Sequence, residues 1–275
     1  MTRILVTNDD GIDSIGLHVL ARAMRPFGEV VIAAPDREFS GAGAALGALH
    51  IMQPEVHRSN IDGIDEAWAV TGPPALCVMF ARLGAFGPPF DLVVSGINPG
   101  ANVGRSVYHS GTIGAALTAR NGGISGVAVS QAVAGFGVEG QGWDEMLIGQ
   151  QWGSAATVAA AFVDGLLRSR PVEPVVANLN VPNLPIEEIR GWQSATVGME
   201  PPRKVASALL EPKEGHEGCF HVRMSWGDAV DLPAGTDGGT VERDLVAVTY
   251  LSRLAAQERD DLDAAETALA DLLAG

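Results

Sequence analysis

The sequence has few cysteines, no long apolar run and a deficit of basic residues, and each shortage excludes a class of protein. Only two cysteines, Cys77 and Cys219, occur among 275 residues, far apart and in no metal-ligand spacing. A disulfide framework is therefore not expected, and a chain of this length can bury a self-sufficient core without one. Free thiols suit a reducing compartment, so we expect a cytoplasmic protein.

Membrane and nucleic-acid partners are also disfavoured. No apolar run approaches the ~20 residues that a membrane span requires, and the apolar residues ahead of position 8 are too few for a signal-peptide core. The formal net charge of −15 argues against binding duplex nucleic acid, because its phosphates demand a basic surface. A phosphorylated small molecule stays possible, since a bound cation reverses the local field.

Apolar segments alternate with helical patterns along most of the chain. Hydrophobic residues make up 47% and charged residues 19%, a globular balance. Strands are predicted at 3–7, 29–34, 91–95, 126–130, 174–181 and 245–250, and helices at 14–25, 112–121, 155–168 and 256–273. The strands are apolar throughout, which predicts an α/β fold with a mainly parallel sheet buried on both faces. A Gly-rich stretch at 135–142 is predicted to be a surface loop.

Residues 191–239 differ from the rest of the chain. They are rich in glycine, proline and charge, with one predicted strand at 220–224. We interpret them as a projecting C-terminal β element. The predicted α/β core then comprises residues 1–190 with 240–275, and residues 191–239 form a β-rich extension.

Oxygen-bearing side chains follow three predicted strands, at the edge where open parallel sheets bind ligands. Asn8, Asp9 and Asp10 follow the first strand, residues 35–41 follow the second, and the Gly-rich segment 96–104 follows the strand at 91–95. Such donors suit Mg²⁺ or Mn²⁺ better than zinc. A cation would offset the repulsion between adjacent carboxylates. A turn leading into a helix N-cap explains the same acidic pair, and the sequence alone does not decide between the two.

A second group of residues suits phosphate. Ser110, Gly111 and Thr112 stand where a helix is predicted to begin, and its free amides favour an anion; ordinary capping is compatible with that role. Asn98 and Asn102 add side-chain donors within the Gly-rich segment. His109 abuts this group, whereas the other histidines do not cluster. There is no Walker motif or Gly-x-Ser-x-Gly elbow. Cys77 lies in an apolar, helix-like run at 75–83 and is predicted to lie in the core.

The ordered set of these segments resembles the SurE survival-protein nucleotidases, nearly end to end. The matching segments are 8–11, 35–37 with 40–41, 95–104, 110–112, 178–182 and 235–237. The resemblance implies a Rossmann-like three-layer core and a metal-dependent phosphomonoesterase that converts nucleoside 5′- and 3′-monophosphates to nucleoside and phosphate. It also implies a homodimer or homotetramer, formed by exchange of a C-terminal extension that residues 191–239 would supply here.

The resemblance carries specific roles onto this sequence. It implies one divalent metal ion, Mg²⁺ or Mn²⁺, with the ligands Asp9, Asp10, Ser40 and Asn98. We expect Asp9 to be the catalytic residue that orients or deprotonates water. The expected phosphate- and substrate-binding residues are Asn8, Asn102, Ser110, Gly111 and Thr112.

Several positions depart from the family pattern. Residues 14–16 replace a usual Ala-Pro-Gly, Leu76 stands for a carboxylate, His109 for a tyrosine and Thr118 for a glutamate. The changes at Leu76 and Thr118 motivate an alternative, a nucleotide-binding or regulatory protein with weakened catalysis. A nucleotide-sugar transferase is a third hypothesis, but it needs a second doubly wound domain that the sequence does not show.

Overall fold

The computed structural model describes residues 1–47, 49, 51, 53–133, 147–200 and 203–274. The strands are β1 (Arg3–Thr7), β2 (Glu29–Pro35), β3 (Val56–Arg58), β4 (Glu66–Val70), β5 (Leu92–Pro99), β6 (Ser125–Gln131), β7 (Val176–Val181), β8 (Trp192–Ser194), β9 (Arg203–Pro212), β10 (Phe220–Ala229) and β11 (Val246–Tyr250). The helices are α1 (Ile15–Met24), α2 (Pro74–Arg82), α3 (Gly111–Asn121), α4 (Trp152–Arg168), α5 (Asp237–Val241) and α6 (Asp263–Leu273). The loop predicted at 135–142 lies outside the described residues.

Nine strands form one mixed, mostly parallel sheet in the order β3-β4-β2-β1-β5-β6-β7-β11-β8. The run from β4 to β7 is parallel throughout, and β8 is parallel to β11. β3 is antiparallel to β4, and β11 is antiparallel to β7. The predicted α/β class with a mainly parallel sheet is confirmed.

Helices cover both faces of the sheet and make three layers. Alternate residues of β1 point to opposite faces, so Ile4 and Val6 pack with α1 and α4 while Leu5 packs with α2 and α3. Every residue of β1 is buried. Burial of both faces explains why the three central residues of the strand are all apolar.

The central strands fix the position of the polar segments. β1 lies between β2 and β5, and all three are parallel. Their carboxyl ends therefore meet at one edge of the sheet. Residues 8–10, 36–41 and the end of β5 come together there, as the sequence predicts.

The sheet is larger than the sequence analysis predicted. β3, β4 and β8 were not predicted, because β3 and β8 have only three residues each and β4 carries alanine and glutamate, which are weak strand formers. β5 runs to Pro99 instead of ending at Ser95: a register irregularity follows Ser95, and pairing with β6 resumes at Asn98. Asn98 therefore lies at the end of a strand, not in a free loop.

The C-terminal helix is shorter than predicted. It begins at Asp263, and all its residues are exposed. The helices at the sheet agree with prediction to within a few residues. Ser110 is the N-cap of α3, and its side chain accepts a hydrogen bond from the Ile113 amide. Across the described parts of the chain, no helix combines the length and apolarity needed to cross a membrane.

A separate antiparallel hairpin of β9 and β10 occupies the middle of the segment 191–239. The first residues of that segment form β8, which belongs to the nine-stranded sheet, and its last residues begin α5. The division into a core and an extension that serves oligomerisation remains a prediction.

Candidate active site

A cleft of about 320 Å³ opens at the carboxyl ends of β1, β2 and β5. Five of the predicted site residues line it: Asp9, Ser40, Asn98, Asn102 and Ser110. Glu38, Ser106 and His109 line it as well. The strand order thus brings together residues that are up to about a hundred positions apart in the sequence.

Asp9 is the most firmly held of these side chains. It is only 3% exposed. Its Oδ2 accepts a hydrogen bond from the Gly111 amide at 3.0 Å, and its Oδ1 accepts one from the Thr112 hydroxyl at 2.5 Å. Burial raises the pKa of Asp9 above its ordinary value, and the bonds from Thr112 and Gly111 oppose that rise. The first turn of α3 therefore orients the carboxylate.

Asp10 is a second, adjacent carboxyl in an unfavourable environment. Its pKa is raised to about 8, first by burial, then by the neighbouring charges of Asp9 and Glu38. Without a cation, the pair is driven toward the protonated form. A positive charge bound between these groups would remove the cause of the shift.

Unpaired buried oxygens support the fit of a hard cation here. Asn8 Oδ1 and Asp10 Oδ2 are buried, and neither finds a hydrogen-bond partner within the described part of the chain. Buried polar atoms in folded proteins are normally paired. Carboxylate, amide and hydroxyl oxygens are the donors that Mg²⁺ and Mn²⁺ prefer. The residues present therefore fit a divalent ion.

The predicted ligand set relies on more than acids. In the described ranges, no group of three or more histidine, cysteine, aspartate or glutamate side chains is arranged to hold a metal. The predicted set instead adds Ser40, whose hydroxyl donates to Glu38 Oε1 at 2.8 Å, and Asn98, whose Oδ1 lies 3.4 Å from the Thr112 hydroxyl. Thr112 thus contacts two of the four predicted ligands.

Asn102 is held by its main chain as well as its side chain. Its amide donates to Asn180 Oδ1 at 2.7 Å, and its carbonyl accepts from the side chains of Asn178 and Asn180. Its own side chain donates to Ser130 Oγ at 2.9 Å. Residues of β6 and β7 therefore hold the Gly-rich segment in place through hydrogen bonds.

The start of α3 has the capping bond that the sequence analysis considered and two contacts that it did not anticipate. Ser110 Oγ accepts from the Ile113 amide at 3.1 Å, which is ordinary capping. Gly111 and Thr112 donate to Asp9. A Cβ on Gly111 would lie 2.7 Å from the Asp9 carboxylate, which explains a glycine at this position. Phosphate binding by these residues, and by Asn8, remains a prediction.

Glu38 is the residue of the cleft that sequence reasoning missed. It stands two positions before Ser40 in the segment after β2, and its carboxyl type was a sufficient signal. Asp237 was noted only as part of a family motif, yet it is fully buried beside the Gly-rich segment. Its contacts could not be read from the sequence, because they join positions more than 130 residues apart.

Three of the departures from the family pattern, Leu76, His109 and Thr118, have different positions. His109 lines the cleft. Leu76 is fully buried in α2, and Thr118 donates to the Gly114 carbonyl within α3 at 2.8 Å. Neither Leu76 nor Thr118 lines the cleft. Of the three, only His109 is placed to contact a ligand there.

Comparison with known proteins agrees with this geometry. Residues 4–204 match the family model described as "Survival protein SurE". A "5′-nucleotidase SurE" of Haemophilus influenzae is 37% identical over 247 residues, covering 90% of each chain. A "5′/3′-nucleotidase SurE" of Erwinia tasmaniensis is 33% identical over 253 residues, covering 90% of this chain and 89% of that protein.

A solved structure gives the same result for the fold. The crystal structure of the SurE protein from Aquifex aeolicus superposes with a TM-score of 0.74 at 28% sequence identity, covering 98% of this chain and all of that one. The match therefore extends across the sheet and the cleft. This chain belongs to the SurE survival-protein family.

Proposed function

We propose that this chain is a 5′/3′-nucleotidase that hydrolyses nucleoside monophosphates to nucleoside and phosphate with one divalent metal ion. The observation that supports this proposal is the Asp9–Asp10 pair: Asp10 has a buried, unpaired oxygen, and Asp9 lines the cleft together with Ser40 and Asn98. Two relatives that cover most of this chain are named as nucleotidases, which supports the same reaction.

The proposed metal ligands are Asp9, Asp10, Ser40 and Asn98. A bound Mg²⁺ or Mn²⁺ supplies positive charge that offsets the carboxylates and the charge developing on the phosphoryl group, and it makes water more acidic. Asp9, fixed by Gly111 and Thr112, orients the attacking water and accepts its proton. Asn102 and Ser110 line the cleft beside it and bind the phosphate oxygens.

The substitution Asp9→Asn tests the assignment. We expect turnover of a nucleoside monophosphate panel to fall by at least about a thousandfold, because the base and one ligand are lost together. The matched control is Asp13→Asn, which changes an exposed carboxylate a few residues away and should retain parent activity. Near-parent activity of Asp9→Asn, with circular dichroism unchanged, would contradict the assignment.

The same assay addresses the non-catalytic alternative. Chelated protein is supplied with Mg²⁺ or Mn²⁺, and phosphate release and nucleotide binding are measured in parallel. Binding without release by the parent would favour a regulatory protein. The positions of Leu76 and Thr118 outside the cleft weaken the motive for that alternative. A second doubly wound sheet, which the transferase hypothesis needs, is absent from the described ranges.

The proposed homodimer or homotetramer has a candidate surface. Large apolar side chains are exposed on one face of the hairpin at Leu210, Phe220, Val222 and Met224. Contiguous apolar patches on a monomer commonly mark an interface. Light scattering coupled to size-exclusion chromatography should give two or four chains per particle, and a monomer at micromolar concentration would contradict the proposal. A cytoplasmic location likewise remains a prediction.

A further inference from the structure

The Gly-rich segment that carries Asn102 is attached to a distant part of the chain through one buried carboxylate. Asp237, at the start of α5, has no solvent exposure. Its Oδ2 accepts from the Gly104 amide at 3.0 Å. Its Oδ1 accepts from the amides of Gly198 at 2.9 Å and Gly238 at 2.8 Å.

The two carboxylate oxygens thus accept hydrogen bonds from different parts of the chain. Oδ1 accepts from amides on either side of the β9–β10 hairpin. Oδ2 serves Gly104, two positions after Asn102 and at the start of the 3₁₀ turn Gly104–Tyr108 that leads to Ser110. Charge-assisted bonds to backbone amides are stronger than neutral ones, and a buried carboxylate must be fully paired to be tolerated.

The backbones that Asp237 joins are in close contact. Gly104 has φ of 55°, and a Cβ there would lie 2.8 Å from the Glu200 carbonyl oxygen. The Arg105 side chain donates to the Met199 carbonyl at 2.8 Å. The two backbones are too close to admit a side chain at position 104, and the bond from the Gly104 amide fixes the segment just after Asn102.

We propose that Asp237 is a positioning residue for substrate binding: its Oδ2–Gly104 bond holds Asn102 and the turn before Ser110 in the arrangement that binds phosphate. The inference rests on the proposed function and deepens it. Asp237 touches neither substrate nor metal in this role. Its effect passes through the backbone of residues 102–104 to the cleft.

The variant Asp237→Asn distinguishes the hydrogen bonds accepted by one carboxylate oxygen from the hydrogen bond accepted by the other. An amide side chain has one acceptor, so it serves either Gly198 with Gly238 or Gly104 alone. The first orientation keeps two bonds and is favoured, which leaves the Gly104 amide facing an NH₂ group. The substitution therefore releases the cleft segment while largely preserving the base of the hairpin.

We expect Asp237→Asn to raise KM for a nucleoside monophosphate about tenfold or more, because a bond to a charged group is lost. The value of kcat should change less than about threefold, since Asp9 is held by α3 and not by this segment. Hydrogen exchange at the Gly104 amide should accelerate by a similar factor or more.

Thr236→Ala is the matched control. Its hydroxyl caps the same short helix by accepting from the Gly239 amide at 3.1 Å and donates to the Pro233 carbonyl at 2.7 Å, so its hydrogen bonds stay within the segment around α5. If Asp237 acts only by stabilising α5, the two variants should raise KM alike. A KM increase confined to Asp237→Asn supports positioning, and equal KM values for the two variants overturn it.

A measurement on the parent protein covers the case in which Asp237→Asn fails to fold. The Gly104 amide should exchange as slowly as amides of the central strands, although it lies outside the sheet. Exchange as fast as in an exposed loop overturns the proposal. Turnover by the parent decides the proposed function separately. If the parent does not turn over, calorimetry of inorganic phosphate binding to the parent and both variants replaces KM.

Discussion

Because of the acidic pair, we expect the metal-free protein to become less stable as pH rises. The folded pKa of Asp10 is about 8, against an ordinary value of 3.8, mainly because of burial and the charge of Asp9. Between these values the folded chain keeps a proton on Asp10 that the unfolded chain has lost. Unfolding therefore releases a proton, and the free energy of unfolding falls as pH rises from about 4 to about 8.

The size of the effect follows from linkage. One proton contributes a slope of about 1.4 kcal/mol per pH unit. Over the interval from pH 5 to pH 8 this amounts to at most about 4 kcal/mol, and relaxation around the site reduces it. Asp91, whose pKa is lowered chiefly by Arg170 against an opposing effect of burial, acts with the opposite sign. Its contribution is lost only as pH falls below about 4, outside this interval.

Urea unfolding in chelator, followed by tryptophan fluorescence at each pH unit from 5 to 8, measures the slope. The variant Asp10→Asn has no proton to lose, so its stability should fall less with pH than that of the parent. The neutral amide still places an unpaired polar group in the interior, a cost that is the same at every pH. The slope, and not the absolute stability, is therefore the quantity to compare.

Asp13→Asn supplies the control, because Asp13 is exposed and should leave the parent slope unchanged. Parallel pH profiles for the parent and Asp10→Asn would refute the reasoning. Adding Mg²⁺ or Mn²⁺ at pH 8, at a hundredfold excess over the parent's dissociation constant, should stabilise the parent by about 2.7 kcal/mol and Asp10→Asn by less.

Two further outcomes follow from the contacts of single residues. Thr112→Val removes the hydroxyl that donates to Asp9 and should weaken metal binding and turnover about tenfold each, by calorimetry and phosphate release, while Thr118→Val in the same helix changes neither. Equal effects of the two valine variants would refute that role. A disulfide reagent should modify Cys219 at once and Cys77 only after unfolding, because burial removes access to Cys77 and raises its pKa. Rapid reaction of two thiols in the native protein would count against the buried position of Cys77.

Much of the fold was predictable because it depends on local pattern. The strands at positions 3–7 and 29–34 have continuous apolar runs at 4–6 and 30–34, which require burial on both faces and indicate a parallel sheet with helices on each side. Four strands were missed: β3, β4, β8 and β9. β3 and β8 have only three residues each, and β4 carries residues of weak strand preference. They form because neighbouring strands supply pairing partners, which no local pattern encodes.

The candidate site was predictable to the level of segments. Parallel strands end at one edge, so polar residues after β1, β2 and β5 had to meet there. The sequence did not indicate that Asp9 is held by Gly111 and Thr112, since those bonds join residues more than a hundred positions apart. Nor did it show that Glu38 adds a third negative charge.

The sequence by itself determined the helices, the apolar strands, the glycines and the oxygen-bearing residues at the strand ends, because these express periodicity, backbone freedom and side-chain chemistry over a few positions. Only the tertiary structure decided the raised pKa of Asp10 and the attachment of Gly104 to Asp237. Both depend on how much water is excluded and on which distant amides and charges come into contact. Those quantities exist only once the layers have packed.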